Sequence, residues 1–208
     1  MAQVKRFFKQ AGYVLRRRPY SESSLLVEIF SREHGVQVLL AKGARRLKSS
    51  YRGLLHCFQP LLLSWSGRHE LMTLTHAESI NYRTRLPLQE LVCASYANEL
   101  LLRFLHRGDS HEQLFDAYEN LLLHLHSGLD NEWALRLFEK YTLADIGYGL
   151  VLDHEVTNNN PINREGNYIY VPDRGPINNK SSSLSGLDIS GRSLLDLDRE
   201  ELSESSSK

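Results

Sequence analysis

Leu25-Leu-Val-Glu-Ile-Phe30 and Val36-Gln-Val-Leu-Leu-Ala41, with Glu33-His-Gly35 between them, decide the fold. Both runs are short, rich in β-branched or bulky apolar residues, and bounded by turn residues, which predicts two strands. Gly35 can take the positive φ that a tight hairpin needs. Working outward, Gly12-Tyr-Val-Leu-Arg16 precedes this hairpin as a further strand. Two more follow: residues 57–65, and Glu70-Leu-Met-Thr-Leu-Thr75, joined by Ser66-Gly-Arg-His69. Pro60 cannot donate to a ladder, so it belongs at an edge, a bulge or a strand start. Five short strands with no helical apolar period among them predict a small barrel.

After Pro87 the period changes. Leu88, Leu91, Val92, Tyr96, Leu100 and Leu101 recur at helical spacing. A second helix carries Leu114, Phe115, Tyr118, Leu121, Leu122 and Leu125, with Asp109-Ser110 in its N-cap region. A third carries Trp133, Leu137, Phe138, Tyr141 and Ile146, opened by Asp130 and closed by Gly147-Tyr-Gly149. Gly108 and Gly128 mark the turns, and short connections favour an antiparallel bundle. Beyond residue 150 only Asn167-Tyr-Ile-Tyr-Val171 reads as a strand; residues 181–185 and 203–207 are serine-rich and polar. The expected class is α+β: a barrel over residues 1–82, then an α-helical domain over 83–208 with an irregular C-terminal region and a polar tail.

The 208 residues hold 25 basic and 25 acidic side chains, for a formal net charge of zero. The sum conceals a division. Residues 1–85 contain fifteen Lys/Arg and five Asp/Glu, so 15 − 5 = +10; residues 86–208 contain ten and twenty, so 10 − 20 = −10. Such asymmetry points to a polyanion-binding module joined to a module of another kind. Two cysteines, Cys57 and Cys93, exclude a disulfide scaffold and a four-thiolate metal site. No apolar run approaches the ~20 residues of a membrane helix, and residues 1–10 lack a signal-peptide pattern. A cytoplasmic protein with no membrane partner is the expectation.

The candidate DNA-binding residues are the barrel cations. Arg16, Arg17 and Arg18 end the first strand; Lys42, Arg45, Arg46, Lys48 and Arg52 follow the third; Arg32 and Arg68 stand at other strand ends. Residues 41–53 contain no acid. Cations gathered on one barrel face displace counterions from phosphates, and the logarithm of the affinity then falls with log salt by about 0.7 per phosphate of a single strand. Tyr20, Tyr51, Phe58 and Trp65 lie among them, and an aromatic on such a face can stack a base for about 1–3 kcal/mol. Phe58 and Trp65 read first as core; Tyr51, in the basic loop, reads equally as a stacking ring or an inert one. Gly43 would let backbone approach a phosphate, but the chain has no Gly-x-x-x-x-Gly-Lys-Ser/Thr.

Catalytic and metal patterns are weak. His124 and His126, two apart on a helix, point about 200° from each other and cannot share an ion. His106 and His111 straddle a turn. Asp196/Asp198 and Glu200/Glu201 fall in a polar tail and are expected to be solvated. No Gly-x-Ser-x-Gly elbow occurs, and no enzyme is expected. Arg136 beside Leu137 or Tyr141 could seat an acidic peptide ending in an apolar residue, or simply cover the helix with its stem.

Several ordered segments resemble the RecO family of bacterial DNA repair proteins: Arg18-Pro-Tyr-Ser-Glu-Ser-Ser-Leu-Leu26, Ser31-Arg-Glu-His-Gly35, Ala41-Lys-Gly-Ala-Arg-Arg46, Arg52-Gly-Leu-Leu55, Phe58-Gln-Pro-Leu-Leu62 and Gly147-Tyr-Gly149. The resemblance spans about residues 10–150 and continues more loosely to about 200. It implies an N-terminal OB-fold followed by a helical domain. It further implies a recombination mediator of the RecF pathway, which binds single- and double-stranded DNA and anneals strands coated by single-strand-binding protein. With RecR, such a mediator promotes RecA loading. The family takes the acidic tail of single-strand-binding protein on its helical domain, where Arg136 is the candidate contact. No cofactor is implied, and nucleoid association follows from the role. Some members carry a four-cysteine zinc site; residues 94–208 here contain no cysteine, so no zinc is expected. Members also usually run on into a basic helical C-terminus, unlike Glu201-Leu-Ser-Glu-Ser-Ser-Ser-Lys208. Two other readings of the residues stay open: an RNA-binding barrel, and a protein adaptor whose basic face meets an acidic partner.

Overall fold

The structure, a computed structural model, describes residues 3–69, 71–81, 85–128, 130–178 and 185–201. Five strands close a barrel in the order β1-β2-β3-β5-β4: β1 (Lys5–Pro19), β2 (Leu25–Ser31), β3 (Gly35–Ala41), β4 (Pro60–Gly67) and β5 (Met72–Ser79). All neighbours are antiparallel except β3 and β5, whose short parallel pairing (Leu39↔Met72, Leu40↔Thr73) completes the closure. This is the expected five-stranded OB-fold. Pro60 is the first residue of β4, where its missing N–H costs nothing to the interior of the ladder. Glu70, expected to open the fifth strand, lies outside the described residues, as do residues 82–84 around the expected domain boundary.

One strand reaches both ends of the barrel because β1 is 15 residues long. Its N-terminal part pairs with β4 (Lys5↔Gly67) and its C-terminal part with β2 (Pro19↔Leu25). Register shifts bend it at two places, between Phe7 and Gln10 and between Val14 and Arg16. The second bulge takes the Leu15 carbonyl out of the ladder. Asn98 Nδ2 fills it at 2.8 Å, and the Cys57 thiol contacts the same oxygen at 3.4 Å. The core, led by Val14, Val27, Ile29, Leu39, Leu61, Leu63 and Trp65, lies inside the barrel.

By contact the chain forms two compact units, residues 1–131 and 132–208. Thus α1 (Leu88–Phe104) and α2 (Glu112–Ser127) belong with the barrel. Tyr13 and Phe30 meet Phe115 and Tyr118 with ring centroids 5.3 to 6.2 Å apart. Buried Asn98 links the two layers, accepting from Tyr118 Oη at 2.6 Å while it donates to Leu15. The buried side of α1 is Ala94, Ala97, Asn98 and Leu101; small residues permit close helix packing. Leu88, Leu91, Val92 and Tyr96, which the periodicity suggested for the core, are exposed. The N-cap of α2 is His111, without a side-chain cap, rather than Asp109-Ser110. Ser110 instead donates to the Arg32 carbonyl at 3.3 Å.

The second unit holds α3 (Asn131–Asp145) and a three-stranded antiparallel sheet in the order β7-β6-β8, formed by β6 (Asn167–Val171), β7 (Gly175–Asn178) and β8 (Leu187–Ser190). It ends with α4 (Gly191–Arg199), which the sequence reading missed. Ser190 caps α4, accepting from the Ser193 N–H at 3.0 Å, and Leu194 packs with Leu152, Ile162 and Tyr168. Lys140 donates to the Leu197 and Asp198 carbonyls, both at 3.0 Å, a cation where the helix dipole favours one. Asp196, expected to be solvated, is buried and pairs with Arg164 at 2.8 Å.

Candidate nucleic-acid interface

The barrel register sorts the cations into three groups. The first is neutralised. Arg16 grips Glu28 across the β1–β2 ladder with two bonds of 2.5 and 3.1 Å, and Glu28 is buried. The guanidinium holds that carboxyl below the ordinary carboxylate range, against burial, which would raise it. Arg32 forms a two-pronged pair with Asp116 of α2, lies 3.9 Å from Glu112, and sits over the Phe115 ring. Both arginines stand in segments that suggested DNA contact, and both already have partners.

The second group gathers at the barrel end where β1 stops and β3 leaves. Here stand eight exposed cations: Arg17, Arg18, Lys42, Arg45, Arg46, Lys48, Arg52 and Arg85. None makes an ion pair among the described residues. Residues 42–54 form consecutive tight turns, from Arg46 N–H to the Gly43 carbonyl (3.1 Å) through Leu54 N–H to the Tyr51 carbonyl (3.1 Å). Gly43 adopts φ 70°, the left-handed conformation that glycine takes without strain. Arg45 ties this loop to the β1–β2 turn, its N–H to Ser23 O at 3.0 Å and Nη1 to Ser21 O at 2.7 Å. Those acceptors are neutral carbonyls, so the positive charge stays available. Tyr51 is the loop's anchor: its ring packs on the barrel core and its hydroxyl donates to Leu74 O at 3.1 Å.

A pocket of about 450 Å³ opens beside this loop, lined by Arg17, His56, Cys57, Phe58, Arg85 and Leu91 among others. Burial lowers the His56 pKa, and the charges of Arg17 and Arg85 lower it further. Burial raises the Cys57 thiol. Phe58 is half-buried at φ 67°, a strained value for a non-glycine residue. Trp65, by contrast, is fully buried and stacks on Phe7 at 5.1 Å, so it is not a platform for bases. Arg85 was not singled out by the sequence, although its place in an acid-poor half was a signal.

The third group stands at the opposite end. Arg68 follows β4 and shares a groove with Lys5 and Arg107. The candidate cations therefore do not converge on one face. Arg136 lies in the other unit, on α3, bonded to Glu139 at 3.0 Å and Glu132 at 3.4 Å. Among the described residues no three His, Cys, Asp or Glu side chains are grouped to hold a metal ion, and no helix is long and apolar enough to cross a membrane.

Comparison with known proteins agrees with this architecture. The family model described as Recombination protein O N terminal matches residues 1–83, and Recombination protein O C terminal matches residues 85–196. The DNA repair protein RecO of Nitrosospira multiformis is 46% identical over 191 residues, covering 90% of this chain and 78% of the relative. That of Aromatoleum aromaticum is 42% identical over 197 residues, covering 95% and 82%. That of Coxiella burnetii is 42% identical over 206 residues, covering 98% and 88%. With a barrel and a helical region matched along nearly their whole length, the chain belongs to the RecO family of DNA repair proteins.

Proposed function

We propose that this protein is a recombination mediator: it binds single- and double-stranded DNA, anneals strands coated by single-strand-binding protein, and with RecR promotes RecA loading in the RecF pathway. The observation that carries the reading is the set of eight unpaired cations around one end of the OB-fold. Phosphates meeting these side chains release condensed counterions, which favours binding without regard to sequence. Arg17, Arg18, Lys42, Arg45, Arg46, Lys48, Arg52 and Arg85 make up this binding face, while Arg16 and Arg32 are held by Glu28 and Asp116. Tyr51 holds the loop in place.

Annealing needs no bond chemistry. Two complementary strands repel through their phosphates; neutralising both and holding them together lets base pairing proceed. The acidic half, residues 86–208, keeps DNA on the barrel and leaves the helices for proteins. Arg136 is the proposed contact for the acidic tail of single-strand-binding protein, whose carboxylate would take the place of Glu132 and Glu139. The protein then works at the nucleoid in the cytoplasm, as a binder rather than an enzyme.

The deciding experiment is annealing of two complementary oligonucleotides pre-coated with single-strand-binding protein, across a salt series. The natural chain is expected to accelerate pairing, with the effect fading as salt rises. An Arg45→Glu/Arg46→Glu variant should lose it while keeping its far-ultraviolet circular dichroism. Unchanged annealing by that variant would overturn the reading. Tighter binding to RNA than to DNA of the same sequence would favour the RNA-binding alternative.

A further inference from the structure

The groove at the far end of the barrel has about 910 Å³ of space and a wall that brings together four chain segments. Lys5 comes from the start of β1, His34 from the β2–β3 hairpin, Arg68 from the β4–β5 turn and Arg107 from the α1–α2 turn. Phe7 forms its apolar floor, stacked on Trp65 with His34 edge-on at 4.6 Å. Lys5, Arg68 and Arg107 are exposed, and among the described residues their side chains make no hydrogen bond or close ion pair, although the Arg107 charge helps to lower the Glu28 pKa. Glu33 and Asp109 occupy the neighbouring turns but do not line the groove.

Arg107 is placed with care. Its backbone bridges Gly35 and Val36, and the Gly108 N–H donates to the Val36 carbonyl at 3.1 Å. Gly35, at φ 57°, allows this approach: a Cβ there would lie 1.7 Å from the Asp109 carbonyl oxygen. The hairpin and the interhelical turn are thus locked together, and the lock sets Arg107 beside Lys5 and Arg68.

Across β3, whose seven residues run from the groove end to the loop end, the two cationic sites lie about 20 Å apart. That separation is roughly two and a half Debye lengths at physiological salt, so phosphates in one site are largely screened from those in the other. We propose that this groove holds the phosphate backbone of a second DNA single strand while the loop end holds the first. The inference rests on the annealing reading above and adds to it where the second strand lies. A bare rise in positive charge would attract two strands but also let them repel each other on one face; two sites on opposite ends remove that conflict.

A bead-bound oligonucleotide saturated with the full chain, washed and then offered a labelled second strand, tests this. Lys5→Ala/Arg68→Ala/Arg107→Ala should bind the first strand within about twofold of the natural chain, yet capture the second at least about tenfold less and lose about 2 from the salt slope of that step, at 0.7 per phosphate contact. Lys5→Ala/Arg68→Ala, which leaves the locked turn untouched, should show a smaller loss of the same kind. Arg45→Glu/Arg46→Glu should fail at the first strand, so failure of the general reading is seen separately. Equal second-strand capture by the natural chain and the triple variant would overturn the proposal. So would equal loss of both strands by the triple variant, or displacement of a polyglutamate peptide from the groove with no change in strand capture.

Discussion

Arg16 and Arg45 are indistinguishable as exposed arginines in a basic half, yet the structure predicts opposite consequences for their loss. Arg45 faces neutral carbonyls and retains its charge, whereas Arg16 is matched to the buried Glu28 carboxylate. In Arg45→Ala/Arg46→Ala, two phosphate contacts disappear, so the slope of log affinity against log salt should flatten by about 2 × 0.7 = 1.4 for single-stranded DNA. Stability should change by no more than about 0.5 kcal/mol, as for other surface substitutions. Arg16→Ala removes no free cation, so its slope should stay as in the natural chain. It does strip Glu28 of its partner, and a buried acceptor left without one costs about 1–3 kcal/mol; half-exposure of Arg16 keeps the figure out of the higher range of a fully buried pair. Fluorescence anisotropy with labelled oligothymidine between about 50 and 200 mM salt gives the slopes, and urea unfolding gives the stabilities. A flattened slope with unchanged stability for Arg16→Ala would refute the assignment of Arg16 to the fold.

Glu28 also sets a pH dependence. Its folded pKa lies below the ordinary value, so the stabilisation is present above the unfolded carboxylate pKa and lost as pH falls through the folded one. Urea midpoints between about pH 5 and 3 should therefore fall more steeply for the natural chain than for Arg16→Ala. Asn98→Ala removes the buried bonds to Tyr118 Oη and the Leu15 carbonyl, an expected loss of about 1–3 kcal/mol by urea unfolding. Gly35→Ala must push the hairpin from the α1–α2 turn; an expected destabilisation of about 1–3 kcal/mol should come with second-strand capture reduced as in the groove variants. Ser190→Ala, which removes the cap of α4, should cost about 1 kcal/mol, read by amide exchange at Ser193 and its neighbours.

The five strands were legible because each carries a compact apolar run between turn residues, and Gly35 marks the β2–β3 hairpin. Their ends were less so. The Lys5 end of β1 carries only Phe7 and Phe8 among Lys5, Arg6 and Lys9, too little to set a period of two, and β4 supplies the ladder that extends the strand there. In α1 the apolar residues misled: the barrel side is made of alanines and a buried asparagine that the Leu15 bulge requires, a constraint invisible without the register. In α4 the run is short and charged, so Leu194 and Leu197 were not enough to separate it from a polar tail, and Asp196 gave no sign of the Arg164 that meets it.

Charge is where local sequence and fold diverge most. A count over residues 1–85 predicts a polyanion-binding module, but it treats every arginine alike. Which cations are free depends on partners far away in the chain: Glu28 across the ladder from Arg16, and Asp116, 84 residues beyond Arg32. It also depends on strand length, since a β1 of ordinary length could not carry Lys5 and Arg17 to opposite ends. Arg107 is the clearest case. It belongs to the acidic half by sequence and to the basic barrel by position, because Gly35 lets an interhelical turn lie against a β-hairpin. Net charge per segment thus points to a kind of partner, while register and close backbone approach determine which cations are free to meet it.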